Sequence, residues 1–488
     1  MRTTLVLVLV LAANGAATAR AAAPTPAIAK KRIERADQLP VHTYAVPNSV
    51  SKVLADEKLT AKLASDVRRD LEGDLGAFDI QDAATLREYH GALSRIALLD
   101  GRLDDAISHA DRVRDLEDKP AVRIISGFVF RAAVAAKRAS PAERQATFDA
   151  TVRKQLASFP YEQVQSELKS AKASLEMQSR NLVMGIVEQQ LDPAAKGGTV
   201  SKDIAVAVVQ MAATMRDILP YKEGAVAALQ EVIAAHKVEK PDIWAARNVE
   251  LPAGKLYSTV NVAVWDGGVD TSLFANRVVE DGAAPAVIAF DRYARPAKGE
   301  LQPIPAELKD RIPQMKARLK GFSDLQSNID SAEASEVKQY LSTLKPEQYK
   351  GVVEELGLAG NWMHGTHVAG ITMAGNPYAR LVTGRIEFDW HLLPDPCPSR
   401  ELVERDARNQ QAYVDFFMRH HVRVVNMSWG GSVKGIEEQL ELCNIGKTPD
   451  ERKKIAREYF DIQKAALTKA FASAPQILFV TAAGNSNE

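Results

Sequence analysis

The chain has 488 residues, of which 46% are hydrophobic and 25% charged, the composition of an ordinary globular protein with room for two or three domain cores. Its 62 Lys and Arg residues balance its 62 Asp and Glu residues, so the net charge is zero. This balance excludes a broad electrostatic field that would favour nucleic acid or an anionic membrane.

The N-terminal residues have the three parts of a secretory signal peptide. Arg2 supplies a positive charge, the nine residues 5–13 are apolar, and small residues follow, with cleavage sites after Ala19 or Ala21. Spanning a bilayer takes about 20 apolar residues, and no later run approaches that length. We therefore predict a signal peptide over residues 1–21 and a secreted or periplasmic protein. An apolar N-terminal helix that is retained is the alternative.

The next two stretches differ in their apolar periodicity. Residues 22–50 are rich in Ala, Pro and Lys and have no sustained period, which predicts a linker. Residues 51–245 are helical in pattern, because apolar residues recur three or four positions apart. One such stripe consists of Ile204, Val208, Met211, Met215 and Ile218. These stripes are typical of packing faces, and the sequence predicts an all-α domain.

One helical pair in this domain is similar to a tetratricopeptide unit. Within residues 92–107, Gly101 suits the tight turn between two antiparallel helices, and Ala106 is small enough to let them approach. Stacked repeats usually need three or more units to bury a continuous core, so a generic helical bundle is the alternative. The domain could bind a protein partner, restrain its neighbour or support it.

Near residue 250 the pattern changes to apolar strands that alternate with helical segments. This alternation predicts an α/β domain over residues 250–488, with a parallel sheet and flanking helices. The domain contains both cysteines of the chain, Cys397 and Cys443. In an exported protein they could form one disulfide, but their spacing does not require it.

Two residues suited to acid–base chemistry stand in the α/β half. Asp266 ends the apolar run 262–265, where a buried carboxylate stays ionised only with a partner. His364 begins the segment His-Gly-Thr-His-Val-Ala-Gly, and the ordinary imidazole pKa of about 6.5 lets it accept a proton at neutral pH. Alone, Asp266 could cap the glycine turn that follows it. His364 and His367 could form half of a metal site, but no third ligand has a diagnostic spacing.

Two further segments follow in chain order: Val-Val-Asn-Met-Ser-Trp-Gly-Gly at 424–431 and Phe-Val-Thr-Ala-Ala-Gly-Asn-Ser-Asn at 479–487. With the Asp266 and His364 segments, they resemble the subtilisin-like serine proteases, or subtilases, in which Asp precedes His and His precedes Ser. The resemblance implies an incomplete subtilisin-like parallel sheet with flanking helices. It also implies a serine-type endopeptidase that hydrolyses polypeptides.

The resemblance assigns roles to individual residues. Asp266 would orient the base, His364 would be the general base, and Asn485 would donate a hydrogen bond to the oxyanion. His364 would also open a helix that packs on the sheet through Val368 and Ile371. The residues that would pair with the substrate backbone are Ser428, Trp429 and Gly430. By itself, Asn485 would be a turn residue. No cofactor is assigned; calcium is implied by the family alone, since no acidic loop is dense enough to assign ligands.

The sequence departs from the family pattern near the acid and in length. Trp265 replaces an aliphatic residue, and Gly267 replaces the usual Thr or Ser, whose hydroxyl could support the carboxylate. Residues 282–355 are predicted to be an insertion that forms a surface loop beside the cleft, with a charged helical run at 331–344. Residues 435–469 are predicted to be charged amphipathic helices added to the surface.

The Gly-Thr-Ser segment that carries the family's nucleophile does not occur in this sequence. We therefore expect negligible hydrolysis by this chain alone. A truncated or split reading frame of an active protease is the favoured explanation, and a gene remnant and a non-catalytic binding module are the alternatives. In the last case the protein would be a peptide-binding or protein-interaction scaffold built on a degenerate protease domain.

Overall fold

The computed structural model describes most of the chain. The described residues are 30–236, 245, 248–255, 257–327, 329 and 331–483. The predicted signal peptide and residues 22–29 of the predicted linker lie outside them. In the described part, none of the helices combines the length and apolarity needed to cross a bilayer.

The N-terminal domain is helical, as predicted, with two small strand pairs at its edges. Its helices are α1 Val50–Ala55, α2 Glu57–Ala77, α3 Ala83–Leu99, α4 Leu103–Asp115, α5 Pro120–Ile125, α6 Phe128–Arg138, α7 Arg144–Ser158, α8 Tyr161–Met177, α9 Arg180–Ile186, α10 Asp192–Ala194, α11 Lys202–Ala213 and α12 Lys222–Ala235. Its strands are β1 Lys31–Ile33, β2 Thr43–Ala45, β3 Phe78–Ile80 and β4 Thr199–Ser201. β1 pairs with β3 in parallel and β2 pairs with β4 antiparallel. The predicted stripe begins on α11 and continues past its end at Ala213; it lies largely in the core, with Val208 fully buried.

The described part of the predicted linker, residues 30–50, is not a linker. Ile33 and Tyr44 are buried in the same apolar cluster as α2, α3 and α11. Strands β1 and β2 are held by backbone hydrogen bonds to the domain through β3 and β4. Each strand is only three residues long, too short for a periodic signal, so the composition alone favours a linker.

Helices α3 and α4 form the predicted hairpin. Gly101 occupies the turn with a φ of +74°, a conformation in which glycine has no steric penalty. Ala106 is fully buried between the helices. The hairpin is therefore present, whereas its membership of a tetratricopeptide array stays a prediction.

The α/β domain has a five-stranded parallel sheet, which confirms the predicted fold class. The described strands of the domain, five in the sheet and two in a separate hairpin, are β5 Val260–Asp266, β6 Glu280–Asp281, β7 Ala284–Pro285, β8 Val287–Phe290, β9 Ala379–Ile386, β10 Val422–Met427 and β11 Leu478–Thr481. Its helices are α13 Ile312–Ser327, α14 Ala332–Thr343, α15 Tyr349–Met373, α16 Arg400–Arg419, α17 Val433–Leu442 and α18 Pro449–Ala472. The sheet order is β11-β10-β5-β9-β8, and β6 pairs only with β7 in a separate hairpin among the described strands.

Helices cover the sheet on both faces. Val368, Ala369 and Met373 of α15 pack against apolar residues of β5 and β9 on one face. On the other face, α16 and α18 pack against Trp265 and Val425. The carboxyl ends of the parallel strands meet at one edge, where Asp266 ends β5. This edge is the usual place for a site in an open α/β sheet.

The helix that contains His364 differs from the expectation. It begins 15 residues earlier, at Tyr349, and runs without a break to Met373, so His364 lies in its interior. The prediction that Ile371 packs on the sheet is wrong, because its side chain is 67% exposed. Val368 is buried as predicted. The buried stripe runs through Gly365, Val368 and Met373, and Ile371 falls outside it.

The two predicted insertions are parts of the packed structure. Residues 282–355 are not a loop: α13, α14 and the start of α15 pack through Val337 and Val352 against Met177 and Leu182 of the helical domain. Helix α14 matches the predicted helical run. Residues 435–469 form the expected helices, but Leu467 of α18 packs against the apolar cluster of the sheet, close to the buried Ala470. These helices were expected to be additions to the surface, whereas α18 is one of the layers of the core.

The α17–α18 unit also contacts the helical domain. The Glu441 carboxylate accepts a hydrogen bond from the Ser201 backbone N–H at 2.8 Å, and Arg457 pairs with Asp37 at 3.1 Å. Cys443, just after α17, forms a disulfide with Cys397, whose Cα lies 6.0 Å away in the loop that follows β9. The bridge therefore ties this loop to the helical pair.

Candidate active site

Asp266 and His364 form a hydrogen-bonded pair at the carboxyl edge of the sheet. The His364 Nδ1 donates to Asp266 Oδ1 at 2.7 Å. An ionised carboxylate only accepts hydrogen bonds, so Nδ1 carries the proton and neutral His364 keeps Nε2 as an acceptor. Asp266 is fully buried, while the His364 side chain is 49% exposed. The geometry leaves a proton acceptor at the surface, backed by a carboxylate.

The pair raises the pKa of His364. The hydrogen bond to Asp266 is the largest cause, and the negative charge of that carboxylate adds to it, while partial burial of the ring acts in the opposite direction. In the neutral state His364 can accept a proton at Nε2, and Asp266 stabilises the resulting imidazolium. This is the task of the base in hydroxyl activation.

Three glycines allow α15 to lie directly on the end of β5. A Cβ added at Gly267 would be 2.6 Å from the backbone oxygen of Asn361, and one at Gly365 would collide with the backbone oxygen of Gly268. Gly268 itself has a φ of +107°, which disfavours any side chain. The helix therefore packs backbone to backbone on the turn, and this brings His364 within reach of Asp266.

Gly267 also determines how the carboxylate is satisfied. Its backbone N–H donates to Asp266 Oδ1 at 2.6 Å. Oδ2 is buried and has no hydrogen-bond partner among the described residues. A Thr or Ser at this position would supply a hydroxyl donor; with glycine there, Asp266 Oδ2 has no donor among the described residues. The contact with Asn361 gives a reason for the glycine, since α15 extends over this position.

Trp265 anchors the strand from the opposite face of the sheet. Its ring is fully buried against Tyr413, at 4.6 Å between ring centroids, and against Phe417 at 5.6 Å. The backbone oxygen of Trp265 accepts a hydrogen bond from the Trp429 indole N–H at 2.7 Å. Trp265, which departs from the family pattern, therefore belongs to an aromatic cluster that connects β5 to the segment after β10.

That segment contains the predicted substrate-binding residues Ser428, Trp429 and Gly430. Trp429 is partly buried, whereas Gly430 is exposed, and a Cβ added there would meet no atom within 4 Å. Ser428 donates to the Asn426 side-chain oxygen at 3.1 Å. The segment follows β10, the strand next to β5, and so begins at the same edge of the sheet as Asp266. Its role in binding a substrate stays a prediction.

The remaining predicted residues are placed as follows. Asn485 lies outside the described residues, so its position relative to the pair is not described. His367 is exposed on α15, and no group of three or more His, Cys, Asp or Glu side chains suited to a metal occurs among the described residues.

Two contributors to the site were not predicted from the sequence. The side-chain amide of Asn361 donates to the backbone oxygens of Phe388 and Asp389, at 3.2 and 3.4 Å, and so ties α15 to the loop after β9. A Cβ added at Gly357 would lie 3.1 Å from the backbone oxygen of Trp390, also in that loop, so the glycine permits a close approach. No motif marks either residue, but Pro346 shortly before Tyr349 is a helix-start signal from which the longer α15 could have been inferred.

In comparisons with known proteins, one family model matches this half of the chain. The model of the Subtilase family, Peptidase_S8, matches residues 258–488, a little under half of the chain. No curated protein and no solved structure matches the chain significantly. The matched region contains the parallel sheet, Asp266 and His364, and it supports a subtilisin-like protease domain, a serine peptidase by family resemblance.

Proposed function

We propose that the chain is the N-terminal portion of an exported subtilisin-like serine endopeptidase. Asp266 orients the base, His364 takes the proton of the nucleophile, and Asn485 donates to the oxyanion. The nucleophilic serine belongs to a segment that this sequence does not contain. The observation that carries the proposal is the 2.7 Å hydrogen bond between a fully buried Asp266 and a half-exposed His364.

The proposed chemistry follows from the order of proton transfers. When a serine hydroxyl attacks a peptide carbonyl, its proton passes to His364 Nε2, and the imidazolium is stabilised by Asp266 through Nδ1. His364 then returns that proton to the leaving amine. The Ser428–Gly430 segment would hold the substrate backbone in an extended form, where the absence of a side chain at Gly430 permits close approach.

An uncovered part of the sheet supports the idea that further elements pack next to the pair. In β11, Leu478 and Val480 are 62% and 44% exposed. Their register partners on β10 are Val424 and Asn426, so they lie on the same face as α15. Ile371 is exposed on α15 itself. A helix that carried the nucleophile would cover this apolar strip and stand beside His364.

Two features support export. The N-terminal sequence has the parts of a signal peptide, and Cys397 and Cys443 are joined in a disulfide. Disulfides persist in the periplasm and outside the cell, where the thiol pool does not reduce them. A protease at that location would act on polypeptide substrates.

The test compares this chain with a version extended by the coding segment downstream of it. We expect peptide hydrolysis by the extended protein and none by the 488-residue chain. The matched control is His364→Ala in the extended protein, which should abolish turnover without loss of folding. Hydrolysis by the 488-residue chain would contradict the proposal. Peptide binding that survives His364→Ala, with no turnover in the extended protein, would favour the scaffold function.

A further inference from the structure

Helix α15 connects the helical domain to the proposed catalytic pair. It is one continuous helix of 25 residues, and Tyr349 at its first position precedes His364 by 15 residues. At 1.5 Å per residue these positions are about 22 Å apart along the axis. The helix contains five glycines but no proline, and its helical residues are unbroken, so a shift of one end can pass along it to the other.

The first turns of α15 fit tightly against the helical domain. A Cβ added at Gly185 of α9 would lie 2.6 Å from the Tyr349 Cβ and 3.3 Å from the Pro346 backbone oxygen. Leu182 of α9 packs in the same apolar cluster as Val352 and Leu356. The position of the Tyr349 Cβ is set by the backbone. A closer approach of α15 to α9 therefore cannot be relieved by a change of side-chain rotamer.

The later turns of α15 fit equally tightly on the turn after Asp266. Asn361 contacts Gly267, and Gly365 contacts Gly268, in both cases through backbone atoms. The Asp270 backbone N–H donates to the Thr366 hydroxyl at 2.9 Å. The helix is therefore held by two close contacts, one to each domain, and His364 lies within the second one.

We propose that the helical domain is a positioning element for the catalytic pair, and that the Gly185–Tyr349 contact determines, through α15, where His364 stands relative to Asp266. This inference rests on the proposed function. A misplacement of about 1 Å in a catalytic group can cost on the order of 100-fold in rate. A partner that displaced α9 would consequently control the protease from outside its cleft.

The experiment uses the pKa of His364 in the full 488-residue chain, which requires no nucleophile. The protein is labelled with ¹³C at histidine Cε1, and the His364 signal is assigned by its loss in His364→Gln. Asp266→Asn supplies the reference for a broken pair. Gly185→Ala should push α15 at Tyr349, weaken the hydrogen bond to Asp266 and shift the pKa of His364 down, towards the Asp266→Asn value.

Two further variants keep the result interpretable. Gly351→Ala lies on α15 itself, and a Cβ there meets no atom within 4 Å, so its pKa for His364 should equal that of the wild type. Leu182→Ala removes volume from the same interface instead of adding it, and should also lower the pKa of His364. If Gly185→Ala does not fold, Leu182→Ala decides. An unchanged His364 pKa in the folded interface variants would overturn the inference.

Turnover of the extended protein separates this inference from the proposed function. We expect Gly185→Ala to reduce kcat by 10-fold or more, on the order expected for a small misplacement, with little change in KM. Equal kcat in Gly185→Ala and wild type would refute the positioning role and leave the protease function intact. Absence of turnover in the extended wild type would refute the protease function, while the pKa comparison would still show whether the two domains are coupled.

Discussion

Gly267 is the position at which the packing account can be tested most quantitatively. The structure explains the glycine by the backbone oxygen of Asn361, which would lie 2.6 Å from an added Cβ. Real Cβ atoms do not approach an oxygen so closely, so α15 or the turn would have to move. Gly267→Ala therefore isolates the steric cost, and Gly267→Ser adds the hydroxyl that subtilases usually carry there.

The magnitudes are set by two opposing effects. Overpacking of a well-packed site costs about 1–3 kcal/mol of unfolding free energy. A serine hydroxyl could donate to the unsatisfied Asp266 Oδ2, and a hydrogen bond to a charged group contributes about 1.5–3 kcal/mol. We expect Gly267→Ala to be destabilised by about 1–3 kcal/mol, and Gly267→Ser to be less destabilised than Gly267→Ala.

Urea unfolding followed by circular dichroism measures these differences. Gly360→Ala is the matched control, because Gly360 precedes Asn361 on α15 and an added Cβ meets no atom within 4 Å. It should be neutral or stabilised by up to about 1 kcal/mol through helix propensity. If Gly267→Ala is as stable as the wild type, the contact with Asn361 does not explain the glycine.

Three further outcomes are expected. Trp429→Phe removes the indole N–H that donates to Trp265 and should lower the unfolding free energy by about 0.5–1.5 kcal/mol, in addition to the packing lost from a smaller ring. A thermal unfolding midpoint equal to that of the wild type would count against the aromatic cluster. Replacing both Cys397 and Cys443 with Ser opens a loop of sequence separation 46 and should lower the unfolding free energy by up to about 4 kcal/mol, relative to the wild type without reductant. An equal unfolding free energy would mean that the bridge does not constrain the unfolded chain. Because Asp266 raises the pKa of His364, pairing stabilises the fold fully below the ordinary imidazole pKa of about 6.5, and this contribution is lost as pH rises through the folded pKa. The stability difference between wild type and Asp266→Asn should therefore shrink over that range, and a difference that grows with pH would contradict the assignment.

Asp266 and His364 can be singled out from the sequence because local patterns mark them, and the structure places their side chains in hydrogen-bond contact, whereas their catalytic roles stay a prediction. Asp266 ends a strand that is apolar throughout, and the parallel sheet then places it at the edge where functional residues gather. His364 was found through its motif, and its distance from Asp266 agrees with the proposed role. Gly101 and Ala106 gave the α3–α4 hairpin for the same reason, since a turn and a close approach depend on nearby residues.

The features that were missed depend on residues distant in sequence. The burial of residues 30–50 is decided by α2, α3 and α11, and the packing of α13 and α14 by Met177 and Leu182. An apolar helix face predicts that it is covered but not by which partner. Similarly, Ile371 fits an apolar pattern in the sequence, but it lies outside the stripe of α15 that faces the sheet and is exposed.

If Asp266 and His364 act as one acid–base unit, titration of His364 in the wild type and in Asp266→Asn will show it. We expect a His364 pKa above the ordinary imidazole value in the wild type, because of the hydrogen bond and charge of Asp266, and a lower pKa in the variant. The same His364 pKa in both folded proteins would contradict the claim, because the carboxylate would then have no influence on the base.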